Sequence, residues 1–259
     1  MTSDPMYDPM HSGPTGGSDA DPRWWKTTWP LDRHDALRLL VLLSVVIGVG
    51  VMFGELLTNW SVISAARDYD QDVAERLASR RTDAKNDLAH WVALIADTPV
   101  KVGLSIAIAG WMAWRFRRWH EAVMVGLPLV FEATAFIVIT TIVGRPRPDV
   151  ERLLDSPVNS SFPSGHVAAA TVYAALAVVV FWHVRATWAR ALAVIVAVLV
   201  PLCVAWARMY QGMHFLTDVL AGMVLGATSV FIAARVLGPP PGDGAGVEIG
   251  HSDRSEVPV

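Results

Sequence analysis

A single cysteine in 259 residues rules out a disulfide framework. Cys203 stands inside an apolar run, where neither a disulfide nor a metal site is expected, and it reads as a small core residue. Charge is scarce too: 17% of the residues are charged and the formal net charge is −3, which leaves no basic surplus for a nucleic-acid partner. Asp, Glu, His and Cys do not cluster at metal-ligand spacings, so neither a metal nor another cofactor is implied. The chain shows no internal repeat of the kind that builds inverted-repeat transporters. Its opening stretch, MTSDPMYDPMHSGPTGGSDADPR, lacks the early apolar core of a cleavable signal peptide.

What the chain has in quantity is apolar surface. Hydrophobic residues make up 53% of it and the mean hydropathy is +0.39, the balance of a protein whose surroundings are lipid. Apolar runs long enough to cross a bilayer fall at 36–58, 98–115, 121–143, 165–184, 190–208 and 216–237, the second being the weakest. The expected fold is therefore all-α, an integral membrane bundle of about six transmembrane helices, with the first span acting as an uncleaved anchor. The flanks 1–35 and 238–259 are rich in Gly, Pro, Ser and Asp and read as disordered tails around a membrane domain at 36–237. Trp24, Trp25, Trp29, Trp60, Trp114, Trp119, Trp182 and Trp188 fall near span ends, as an interfacial aromatic belt would.

An even number of spans places both termini on one side. Cations are nearly balanced between the two faces, so the positive-inside rule barely decides. Cytoplasmic termini in the plasma (inner) membrane are favoured because two arginines on the opposite face, Arg147 and Arg208, belong to polar clusters with a chemical look.

Those clusters are GRPRPD at 144–149, PSGH at 163–166 and RMYQGMHFLTD at 208–218. With six spans all three fall at helix mouths on the same membrane face, whereas the remaining histidines are scattered. The pattern resembles the type 2 phosphatidic acid phosphatase family, whose membrane members share a fold core with the vanadium haloperoxidases and soluble acid phosphatases. The family blocks read K-x-x-x-x-x-x-R-P, P-S-G-H and S-R-x-x-x-x-x-H-x-x-x-D. Pro163-Ser164-Gly165-His166 completes the second. Arg208, His214 and Asp218 carry the third, with Ala207 in place of its leading serine. Arg147-Pro148 stand in the first, but Thr140 occupies the lysine position. The resemblance covers roughly residues 95 to 237 and neither tail.

Physical chemistry gives the same residues roles. His214 and Asp218 are four apart and on a helix would share a face, so a carboxylate bonded to one ring nitrogen would leave the other free to attack phosphorus. Arg147 and Arg208 can meet the charge of a transferring phosphoryl group. Arg145, the spare arginine, reads as an anchor or outer support. Ser164 and Gly165 open the fourth span, where unpaired backbone N–H groups, a hydroxyl and close approach at glycine form an anion cradle. His166 would protonate the leaving group and then activate the hydrolytic water. Lys101, a few residues into the second span, is a candidate for the charge that Thr140 does not supply.

The resemblance implies a metal-independent hydrolase acting on a lipid phosphate or diphosphate, with phosphatidic acid, phosphatidylglycerol phosphate and polyprenyl diphosphates such as undecaprenyl diphosphate as candidates. A site at the bilayer boundary favours such lipids over soluble esters. The alternatives are a phosphotransferase of the same fold and, because of Thr140, a non-catalytic lipid-binding or transport protein. Two further features are less specific. The charged segment 66–91, with Val73 and Leu77 at helical spacing, reads as a solvated loop or an interfacial helix. Glu132, about 22 Å from Arg147 if the helix were continuous, reads as a contact inside the bundle.

Overall fold

The computed structural model describes residues 29–59, 64–155 and 159–240, so most of both expected tails, together with Trp24, Trp25 and Trp60, lies outside the described residues. Its helices are α1 (Arg33–Asn59), α2 (Ser64–Ala78), α3 (Asp83–Leu94), α4 (Thr98–Phe116), α5 (His120–Val143), α6 (Gly165–Val172), α7 (Ala174–His183), α8 (Thr187–Tyr210) and α9 (Leu216–Leu237). The architecture is an all-α integral membrane bundle. Four single helices, α1, α5, α8 and α9, are long and apolar enough to span a bilayer. The pair α6 and α7, broken only at Tyr173, forms a fifth. Among the described residues a sixth span is reached if α3 and α4, bent by 44° at their junction, are taken together.

Apolar side chains such as Val45, Ile106, Val130, Ile137, Leu199 and Val224 project outward, as suits helices solvated by lipid. Cys203 is among the exposed residues, contrary to the core role its apolar surroundings had implied. In a membrane the outer face of a helix is as apolar as its inner face, so hydropathy does not tell them apart. Trp29 and Trp119 meet with ring centroids 6.2 Å apart, at the end of the bundle where α1 and α5 start and α9 finishes.

Helix α6 packs against α9, α8 and α5, most extensively against α9. Small residues make its contact with α9 close. A Cβ on Gly222 would lie 2.5 Å from the Ser164 carbonyl oxygen, and one on Gly226 would lie 2.4 Å from the Ala168 carbonyl oxygen. Both obstacles are backbone, so they cannot rotate away. This four-residue spacing of glycines lets two membrane helices touch along their backbones, and it sets the register between the start of α6 and the start of α9.

The segment 66–91 is not a loop. It forms most of α2 and α3, and α3 packs on α8. Arg81, between them, donates to the carbonyls of Tyr210 and Glu151. The Tyr210 hydroxyl accepts from the Thr82 N–H, and the Gln211 amide donates to the Ala89 carbonyl. These bonds clamp a helical cap onto the end of α8, beside Arg208.

Candidate active site

Helix α5 ends at Val143, and Gly144 turns the chain with a positive φ of 57°, a conformation glycine adopts without strain. The segment after it is irregular, so Arg147 does not continue the helix and distances along a helix from Thr140 or Glu132 do not apply. Arg147 instead crosses the mouth of the bundle and donates to the Met213 and Ser160 carbonyls. Burial and the neighbouring Arg152 pull its pKa below the ordinary arginine value.

Helix α8 ends at Tyr210, and Gly212, with φ of 73°, turns the chain back toward α9. This turn buries His214 at 5% exposure between α8 and α9. Burial, then Arg208 and Arg147, drive its pKa well below 6.5, so the ring is neutral at neutral pH and keeps a lone pair. Its Nδ1 lies 2.7 Å from the Ser161 carbonyl oxygen, which accepts only from N–H and so fixes Nε2 as the bare nitrogen.

The expected bond from Asp218 to His214 is absent in that form. Asp218 Oδ2 stands 3.9 Å from His214 Nδ1, beyond hydrogen-bonding distance. The reason is local: α9 begins only at Leu216, so His214 precedes the helix and Asp218 sits in its first turn. There the carboxylate accepts from the Phe215 N–H at 2.8 Å and from Arg145. The tautomer-fixing partner is thus a backbone carbonyl in the SSFPSGH stretch, and Asp218 braces the turn that carries His214.

Arg145 proves to be outer support. It is 3% exposed, pairs with both Asp218 and Asp70, bonds the Thr217 hydroxyl and lies 4.4 Å over the Phe215 ring. Asp70 comes from α2 and also accepts from Thr217. Sequence reasoning missed Asp70, because one buried acid in a strongly charged helix carries no mark of its own.

Arg208 is buried on the last turn of α8, where it donates to the Gln211 side chain. Its Nε has no hydrogen-bond partner among the described residues, and neither has the Ser164 hydroxyl. Ser164 is the N-cap of α6 and makes no capping bond with its side chain; its own N–H donates to the Asp218 carbonyl at 3.0 Å. Gly165 has a packing reason as well as a chemical one, since a Cβ there would come within 2.8 Å of the Phe136 ring. The N–H groups of the first turn of α6 have no acceptors within the helix, as at any helix N-terminus. A buried guanidinium, a hydroxyl and helix N–H groups with open valences describe a place for an anion.

His166 lies in that same first turn, and its Nε2 is 2.7 Å from Oδ1 of Asp97, a residue no motif marks. Lys101, one turn further along α4, acts electrostatically on both His166 and Glu132. Glu132 is fully buried in α5, Thr140 is buried too, and among the described residues neither the Glu132 carboxylate nor the Thr140 hydroxyl has a hydrogen-bond partner. The structure thus brings His214, His166, Arg147, Arg208 and Ser164 to one mouth and puts Asp218 behind His214, while Lys101 lies one turn beyond Asp97 on α4.

Comparison with known proteins agrees. The model of the PAP2 superfamily matches residues 121–239. Phosphatidylglycerophosphatase B of Bacillus subtilis is 27% identical over 173 residues, covering 65% of this chain and 83% of that protein. The crystal structure of a transmembrane PAP2 type phosphatidylglycerolphosphate phosphatase from Bacillus subtilis superposes with a TM-score of 0.63 at 22% identity, over 78% of this chain and 95% of that one, which shows a shared fold. The motif blocks that fold into this single mouth all lie within the residues 121–239 that the PAP2 superfamily model matches, and the chain shares its fold with a transmembrane PAP2 type phosphatase.

Proposed function

We propose that the protein hydrolyses the phosphate of a lipid phosphate or diphosphate through a phosphohistidine on His214, without a metal ion. The observation that carries this reading is the neutral, oriented His214 facing Arg208, Arg147 and the open N-terminus of α6. Nε2 of His214 attacks phosphorus in line with the departing oxygen. Arg147, Arg208, Ser164 and the α6 N–H groups hold the equatorial oxygens while the P–O bond breaks. His166 gives its proton to the leaving oxygen, then takes one from the water that cleaves the P–N bond, which returns His214 and releases phosphate.

The name of the curated relative makes phosphatidylglycerol phosphate one candidate beside phosphatidic acid and polyprenyl diphosphates. We place the site on the outer face of the plasma (inner) membrane with both termini cytoplasmic, and assign residues 36–237 as the catalytic membrane domain. Arg147, Arg208 and Lys101 supply the positive charge that magnesium supplies in many phosphoryl-transfer enzymes. Lys101 stands in for the lysine the family pattern carries where this chain has Thr140. The deciding experiment is phosphate release by purified protein from a panel of these lipids in mixed micelles, with chelator or with magnesium. Equal activity in both supports the reading; no release from any lipid, or strict magnesium dependence, overturns it.

A further inference from the structure

Asp97 sits in the break between α3 and α4, in the sequence Asp97-Thr98-Pro99. As N-cap of α4, its carboxylate would ordinarily accept a bond from the second or third backbone N–H of the helix. The second belongs to Pro99, which has no N–H, and the side chain makes no capping bond. It turns across the mouth instead and meets His166, 69 residues away in sequence, at 2.7 Å. The pair is partly exposed: the side chains of His166 and Asp97 are 26% and 39% exposed. The Tyr173 hydroxyl donates to the Ile95 carbonyl at 3.3 Å, tying the same break to the joint between α6 and α7.

We propose that Asp97 is the positioning residue of the proton-handling histidine. It holds Nε2 of His166, which leaves Nδ1 for the leaving oxygen, and it stabilises the imidazolium that must exist before the proton is given up. Such stabilisation matters because the other charged groups acting on His166 include Arg208 from α8 and Lys101 from α4, with His214 across the site. Both cations work against a positive ring, and an adjacent carboxylate opposes them. The proton balance is unchanged: the imidazolium proton goes to the leaving oxygen, the hydrolytic water returns one, and the half-exposed carboxylate keeps the ring in contact with solvent.

This proposal rests on the role given to His166 above, and the test separates the two. Asp97→Asn, Asp97→Glu, His166→Ala and the double variant Asp97→Asn/His166→Ala are compared on two long-chain substrates. One is an alkyl phosphate, and the other a nitrophenyl phosphate whose leaving group needs no proton. In kcat/KM, which reports the steps through phosphoryl transfer, Asp97→Asn loses about 10- to 100-fold on the alkyl substrate and less than about 3-fold on the nitrophenyl one. Asp97→Glu recovers part of the loss, and Asp97→Asn costs nothing further once His166 is alanine. Equal losses on both substrates, a wild-type rate in Asp97→Asn, or a full additional loss in the double variant overturns the proposal. If His166→Ala cripples the enzyme while Asp97→Asn does not, only the role of Asp97 falls; a wild-type rate in His166→Ala removes the role of the histidine itself.

Discussion

Both ends of the bundle bury charge, and they do so differently. At the end that carries the starts of α5 and α8, Glu121 is fully buried and its carboxylate is met by Arg118 at 2.7 Å and His183 at 2.9 Å. His183 stacks on Phe116 with centroids 4.4 Å apart, and the His120 ring bonds the Gly238 carbonyl. At the opposite end, Arg145 closes a similar compact network with Asp70 and Asp218. Next to that network, however, Arg208 and Arg147 donate to neutral oxygens, and Arg208 Nε and Ser164 Oγ keep open valences among the described residues. A buried polar group without a partner costs stability, so a fold that retains several at one point keeps them for something that arrives. We read the closed cluster as scaffold and the open one as the anion site proposed above.

The sharpest break of this contrast is His214→Ala. Loss of the attacking nitrogen should lower turnover by on the order of 10,000-fold or more, and no acid-labile phosphoprotein should be trapped in a rapid quench. Near-normal turnover in this variant would remove the phosphohistidine route. A smaller break lies at Lys101. Lys101→Met should lower kcat by about 10-fold or more, within the range for one charge-stabilising group, and adding Thr140→Lys should restore part of the rate. A Lys101→Met protein with a wild-type melting curve and wild-type kcat would show that nothing replaces the family lysine.

The closed end should answer in the other currency. Glu121→Gln unpairs two partners of a buried carboxylate, a change worth about 3–5 kcal/mol when a buried ion pair is broken. Its unfolding midpoint in detergent should fall while kcat per folded molecule stays at the wild-type level. A variant with normal melting but impaired kcat would dissolve the distinction between the two ends.

The smallest effect is a pH slope. His214 is buried with a pKa well below 6.5, so the unfolded chain takes up a proton near that pH and the folded chain does not. Stability should therefore decline as pH falls below about 6.5, and His214→Gln should remove part of that decline. Thermal melts of both proteins between about pH 5 and 7.5 measure it; identical slopes would show that the ring titrates normally.

Five of the spans and the meeting of the three motif blocks at one mouth were legible along the chain. The reason is that hydropathy and motif spacing are one-dimensional properties: a bilayer needs a run of a certain length, and an even count of spans decides which ends meet. Legibility stopped where a partner comes from elsewhere in the chain. Ser161, not Asp218, orients His214, because the start of α9 at Leu216 draws the carboxylate to its own first turn. Asp70 and Asp97 reach the site from α2 and from the α3–α4 break, and Gly222 and Gly226 set the contact between α6 and α9. Composition determined that this protein lives in lipid, and its motifs determined what chemistry stands at the helix mouths. Tertiary structure alone decided which oxygen each histidine faces and that Arg208 Nε is left without a hydrogen bond among the described residues, because a hydrogen bond is settled by fractions of an ångström between segments tens of residues apart.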